Sequence, residues 1–124
     1  MPLTDTGRNF IAAIVLATGT FFNNANANLG VGNSPAGFNK AHTDLQGGST
    51  LRKAMDATFP TIATNVITAR STFGLAEANF AWEEWGFFNA AAAGTMLSRK
   101  PEVLGTKPPT QTWILTATLT INNP

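Results

Sequence analysis

The stretch Phe73-Gly-Leu-Ala-Glu-Ala-Asn-Phe-Ala-Trp-Glu-Glu-Trp-Gly-Phe-Phe-Asn89 holds two of the three Trp and four of the nine Phe in this 124-residue chain, and no other stretch is as dense. Read as a strand from Asn79, a period of two places Phe80, Trp82, Glu84 and Phe88 on one face and Ala81, Glu83, Trp85 and Phe87 on the other. Large apolar groups on both faces mark a central strand covered on both sides. Each aromatic buries about 150–250 Å², so a domain of this size builds its core here. The strand also carries two adjacent carboxylates, and an ionised carboxylate inside a core requires a partner. Glu84 is therefore expected to face inward beside Trp82 and to accept hydrogen bonds from backbone, Arg or hydroxyl donors. Gly86 fits a bulge or a close backbone approach after Trp85. Trp82, Glu84, Trp85, Gly86, Phe87 and Phe88 form the expected core motif.

Outward from this strand the alternation recurs. Toward the C-terminus, Trp113, Leu115, Ala117, Leu119 and Ile121 share one face, with Thr112, Thr116, Thr118 and Thr120 on the other and Ile114 alone breaking the polar side. Ala90 to Gly94 turns the chain into Thr95 to Arg99, and Lys107-Pro108-Pro109 makes a loop. Toward the N-terminus, Val66 to Phe73 reads as a strand, and Leu51 to Phe59 alternates as another, closed by Pro60. Ala25, Ala27, Leu29 and Val31 alternate with Asn24, Asn26, Asn28 and Gly30, the pattern of a strand with one buried face of small side chains. Thr4 or Thr6 caps a helix through Thr18 with Gly19 as its stop, and Phe38 to Gln46 reads as a short helix ended by Gly47-Gly48. The expected fold is mainly β: an antiparallel β-sandwich with an N-terminal helix and one short helix, a single domain over residues 1–124.

Composition narrows the function classes. There is no Cys, which removes disulfides, thiolate metal sites and cysteine nucleophiles. Lys plus Arg number 8 against 7 Asp plus Glu, a net charge of +1 with the basic residues scattered, so no nucleic-acid stripe is present. Only 12% of residues are charged, where a soluble domain averages about 25%. Asn, Thr, Ala and Gly take their place, groups that cost less to bury against a partner than Lys or Glu, which are depleted at interface cores. A subunit covered by its neighbours follows from this, with a low-charge monomer as the alternative. The apolar run Phe10 to Ala17 is too short to span a bilayer, which takes about 20 residues, and Asp5 lies where a signal peptide is basic. No membrane or targeting segment is expected.

Catalytic constellations are missing as well. Glu83 and Glu84 are adjacent, so in an extended strand they point to opposite faces and do not form an acid and base across one bond. His42 is the only histidine, too little for a metal ligand set, and it fits a surface or capping role. Gly30-Val31-Gly32 leads into Asn33-Ser34-Pro35 rather than Gly-Lys-Ser/Thr, with Gly37 out of place for a dinucleotide fingerprint. No Gly-x-Ser-x-Gly elbow occurs. Arg52-Lys53 and Arg99-Lys100 read as solvated strand ends. No enzymatic activity, cofactor or metal is expected.

The order of features resembles the N-terminal domain of phage tail-collar fibre proteins. A Leu-Thr-x-x-Gly opening before an Ala-rich helix is matched by Leu3-Thr4-Asp5-Thr6-Gly7 and Ala12-Ala13. A strand running into a "VGDG"-like turn resembles Leu29-Gly30-Val31-Gly32-Asn33-Ser34. Thr43-Asp44-Leu45 and Leu51-Arg52-Lys53 are similar to the next segments. The aromatic run Trp82-Glu83-Glu84-Trp85-Gly86-Phe87-Phe88-Asn89, with Gly94-Thr95-Met96-Leu97, resembles the family's aromatic stretch into Glu-Ile-Gly-Leu-Phe-Asp. Trp85 stands where an aliphatic residue is usual. The resemblance spans Leu3 to Ile121 and also extends to small virion proteins of tailed phages.

It implies a non-enzymatic virion structural subunit of the tail, collar or baseplate region, assembled in the host cytoplasm, working by self-assembly and by docking to a neighbouring virion protein. A closed homo-oligomer, a trimer by analogy with fibre mounts, is the implied unit, with no nucleic-acid or membrane partner. A head decoration protein is the alternative, and a carbohydrate-binding module stacking sugars on Trp82, Trp85 or Trp113 is a third class. The strand faces bearing Thr112, Thr116, Thr118 and Thr120, or Asn24, Asn26 and Asn28, are the candidate interfaces. The C-terminal one carries no charge in the 17 residues after Lys107, and so lacks the Lys that isolated edges use against self-pairing.

Overall fold

In the computed structural model, which describes residues 2–122, the aromatic stretch forms strand β5 (Ala81–Phe88), flanked by β1 (Asn28–Gly32) and β6 (Met96–Thr106). With β2 (Thr50–Ala54) beyond β1, these make a four-stranded sheet in the order β2-β1-β5-β6. A second, three-stranded sheet is ordered β3-β4-β7, from β3 (Thr61–Ala63), β4 (Val66–Phe73) and β7 (Trp113–Thr120). Every pairing is antiparallel. The sheets stack into a sandwich, and helix α1 (Asp5–Val15) packs beside β6. The mainly β sandwich with an N-terminal helix expected from the periodicities is the architecture found. Among the described residues no helix is long and apolar enough to cross a membrane.

The core between the sheets is built from Leu29, Val31, Phe73, Trp82, Trp85, Phe87, Leu115 and Leu119, all buried. β5 is central and two-sided because a second small core of Leu45, Phe88 and Met96 lies on its other face. The strict alternation along β5 is interrupted, however. Trp82 packs on Phe73 and Trp113 of the second sheet, with ring centroids 4.9 and 5.1 Å away. Phe87 likewise meets Ile67 and Leu119 of that sheet, although its sequence parity is opposite. The pairing irregularity between Trp82 and Glu84, where residues 102–104 of β6 stand against Glu83 alone, reconciles the two. Glu84 is inward but on the face away from Trp82. Gly86 sits in regular register between Gly30 and Arg99, so it marks a close approach rather than a bulge. A Cβ there would stand 3.2 Å from both Phe88 and the Ser98 carbonyl oxygen.

Other expected elements are corrected. Residues 38–46 form no helix but an irregular covering loop with one turn, because their backbone groups are taken by side chains and by β5. The strand expected from Asn24 begins only at Asn28. Asn24 and Asn26 lie in a turn, where the Asn24 amide donates to the carbonyls of Asp56 and Phe59 at 3.0 and 2.6 Å. The strand from Leu51 ends at Ala54, and β3, unforeseen, forms a two-residue hairpin with β4 through Thr64 and Asn65. β6 runs past Arg99 through Pro101 to Thr106, which its place at the sheet edge permits, since Pro101 has no N–H to pair.

The two long sides of the sandwich differ. On the β2 side the sheets are stitched together: Ser71 Oγ donates to the Lys53 carbonyl at 3.2 Å, and Asp56 accepts from Arg70 Nε at 2.9 Å and Thr72 Oγ1 at 2.8 Å. Lys53 Nζ also lies 2.7 Å from the Glu77 carboxylate, which accepts the Gly74 N–H at 2.8 Å. The Lys53 hydrogen bond, and then that of Gly74, hold the Glu77 carboxyl below its ordinary range. At the other side α1 is hydrogen-bonded to the sheet at its N-terminus, while farther along Ile11 packs on the core and Phe10 meets Phe22 edge-on at 4.8 Å. Thr4 caps it by accepting from the Gly7 N–H at 2.9 Å while donating to the Met96 carbonyl at 2.6 Å. Gly7 is its one buried residue, and a Cβ there would overlap the Leu97 carbonyl oxygen.

Two outcomes follow. Because its folded pKa is depressed, Glu77 contributes stability above the unfolded value of about 4.3 that is lost as pH falls through the folded value. Urea midpoints should decline over that acidic range, and Glu77→Gln should flatten this part of the profile; an unchanged profile would refute the assignment. Gly7→Val should push α1 off β6 at roughly 1–3 kcal/mol, with fast amide exchange across the helix and an unaltered sandwich. Undiminished protection in α1 would show that the Leu97 contact does not hold it.

Candidate functional site

The most constrained group in the molecule is Glu84. β5 directs it to the face away from β4 and β7, in register with Gly32 and Pro101. Its carboxylate is fully buried and accepts three hydrogen bonds: from Arg99 Nε at 2.8 Å, the Gln46 N–H at 2.8 Å and the Gly47 N–H at 2.7 Å. Arg99 comes from β6 and is equally buried. The loop of residues 33–49 closes over the pair, tied back by the Asn33 N–H to the Ser49 carbonyl and the Ser49 N–H to Asn33 Oδ1. Glycines make the space. A Cβ on Gly32 would overlap the Glu84 carboxylate, and one on Gly30 would press on Phe88 at 2.8 Å. Next to this clasp Arg52 lies 3.7 Å above the Phe88 ring and donates to the carbonyls of Ala90 and Ala93, holding the turn that leads into β6.

This arrangement is a clasp between β5, β6 and a loop. With three donors on its two oxygens and no exposed surface, the Glu84 carboxylate faces its own loop and strand and not solvent. Glu83 is half-buried in a different setting, a shallow groove with Pro35, Pro101, Glu102 and Val103. The half-buried His42 accepts the Asn39 N–H on Nδ1 at 3.3 Å within a turn. Among the described residues no three His, Cys, Asp or Glu side chains gather as metal ligands. The indoles are committed too. Trp82 Nε1 donates to the Ala78 carbonyl and Trp85 Nε1 to Glu102 Oε1, each at 2.9 Å. Trp113 is half-buried edge-on against Trp82.

The structure thus brings together Trp82, Glu84, Trp85, Gly86, Phe87 and Phe88 in β5, and separates the two groups of candidate interface residues. Thr116, Thr118 and Thr120 are exposed along β7, and Thr112 is exposed just before it. Asn28 is instead buried in the interior strand β1, with Asn24 and Asn26 in the preceding turn, so the three Asn form no strand face. Arg99 was not separable in sequence from the solvated pair Arg99-Lys100; the one signal was its place between buried strand residues and Pro101. Near the end of β7, the half-buried side of α1 leaves an apolar groove of about 260 Å³ lined by Phe10, Ile14, Phe22, Leu119 and Ile121 among others.

Fold and site together define a small antiparallel β-sandwich in which one buried ion pair, Glu84 with Arg99, joins β5 to β6. Comparison with protein-family models, curated proteins and solved structures finds no match.

Breaking the clasp has a calculable cost. Glu84→Leu or Arg99→Met leaves a buried charge unpaired, and each should destabilise by about 3–5 kcal/mol. The double variant should cost less than the sum, as measured by urea unfolding in a double-mutant cycle. Single variants that melt as the wild type does would contradict a structural role.

Proposed function

We propose that this chain is a non-enzymatic structural subunit of a tailed-phage virion, placed in the tail, collar or baseplate region, which acts by self-assembly into a closed homo-oligomer and by docking to a neighbouring virion protein. The observation that carries the assembly reading is the exposed, uncharged face of β7, with Thr116, Thr118 and Thr120 outward and Leu115, Ala117 and Leu119 buried. A lone soluble sheet ordinarily protects such a strand with charge. The phage assignment rests on the order of motifs from Leu3 to Ile121. The non-enzymatic reading is supported by the burial of the Glu84 carboxylate, whose three hydrogen bonds all come from the protein's own donors. Burial of Trp82 and Trp85 speaks against sugar stacking on those two rings.

Antibody against the protein should label the tail end of intact particles in electron micrographs. Label spread over the capsid shell would instead favour head decoration, and absence from purified virions would overturn the virion reading. The purified protein should turn over no glycan, peptide or phosphoester; activity abolished by Glu83→Gln or His42→Ala would overturn the non-enzymatic reading.

A further inference from the structure

A sandwich of two open sheets has four edges, and here three are guarded. β2 carries Arg52 and Lys53, β6 carries Lys100, Pro101 and Glu102, and β3 is only three residues long with Pro60 just before it. Charge, proline and shortness are the devices that stop strand edges from pairing. β7 has none of them. It is eight residues long, without charge or proline, and pairs with β4 along one side from Thr120 opposite Val66 to Trp113 opposite Phe73. Among the described residues no backbone hydrogen bond joins its other side. A row of free N–H and C=O groups specifies its own partner, which is another extended strand.

Building on the reading of this chain as a self-assembling subunit, we propose that β7 pairs antiparallel with β7 of a second copy about a two-fold axis, merging two three-stranded sheets into one of six strands. Charge selects the second copy. Two-fold pairing sets each edge against itself, so β2 would oppose its own Arg52 and Lys53, while β7 brings no like charges together. The strand is also self-complementary. With the axis at Ala117, the period of two sets Thr116 opposite Thr118 of the second copy, Leu115 opposite Leu119 and Trp113 opposite Ile121. Each face therefore continues across the axis. Ile114 and Ile121, 60% and 51% exposed in the single chain, gain strand neighbours at the two ends of the contact. Such a two-fold also fits inside a larger closed assembly of dihedral symmetry.

The test is sedimentation of the full chain and of two double variants. The wild type should sediment as a dimer or an even-numbered multiple. Thr116→Lys with Thr118→Lys places like charges in both cross-strand pairs. Thr116→Lys with Thr118→Glu places opposite charges there, so the first variant should dissociate at a concentration at least about tenfold higher than the second. Both positions are exposed, and circular dichroism should match the wild type in each. A homo-oligomer that dissociates equally in both variants overturns the β7 pairing and leaves self-assembly standing. A wild type that is monomeric at every concentration overturns both. As a check independent of charge, the chain has no Cys, so Thr116→Cys and Thr118→Cys chains mixed under oxidising conditions should cross-link to each other. A dimer that persists without cross-linking overturns this register.

Discussion

The structure depends on one fully buried carboxylate, Glu84, and on the donors that converge on it. Moving a carboxylate into a protein interior costs several kcal/mol unless charge and hydrogen bonds replace its hydration. Around Glu84 that replacement comes from two separate pieces of chain: Arg99 of β6, and the covering loop with the N–H groups of Gln46 and Gly47. Each of those pieces is positioned by something else. Arg99 is held by the β5–β6 ladder, and the loop by Asn33, Ser49 and the packing of Leu45 on Phe88 and Met96. At Gly32 of β1 and Gly47 of the loop a Cβ would stand in the carboxylate's space.

This requirement explains why the second face of the large sheet is closed by a loop rather than by a third layer. A helix over residues 38–46 would turn the Gln46 N–H onto the His42 carbonyl and away from Glu84. An irregular segment leaves donors free, at the cost of regular structure. The covering is therefore polar at its centre and apolar at its margin, where Leu45 lies and the Arg52 guanidinium stacks on Phe88.

The other face follows simpler rules. Between the sheets the core is aromatic and aliphatic, with Trp82 locked by the edges of Phe73 and Trp113. Hydrogen bonds close the β2 side, whereas the β7 backbone is left open along its outer side. Four strands facing three make the asymmetry, and the uncharged β7 makes it consequential for assembly.

Local periodicity was enough to place β4, β5, β7 and the capped N-terminal helix, because burial on alternate residues writes itself directly into side-chain polarity. The two-sided aromatic run gave away a central strand, and an adjacent pair of carboxylates inside it required that one have a buried partner. The partner itself was a tertiary matter. Arg99 lies 15 residues from Glu84 and the Gln46 N–H 38 residues away, and nothing in an Arg-Lys dipeptide or a glycine pair announces convergence on one carboxylate. The same holds for the Asn24 to Val31 alternation, a strand pattern that the chain cuts short at Asn28 because the Asn24 amide is claimed by Asp56 and Phe59 across a turn. The parity break at Trp82 also had to await pairing with β6, since a register irregularity belongs to two strands and is invisible in one. Sequence determined that β4, β5 and β7 extend and which face of β7 is apolar; the meeting of distant donors at Glu84, and the edge left without a neighbour, were decided only when those segments packed.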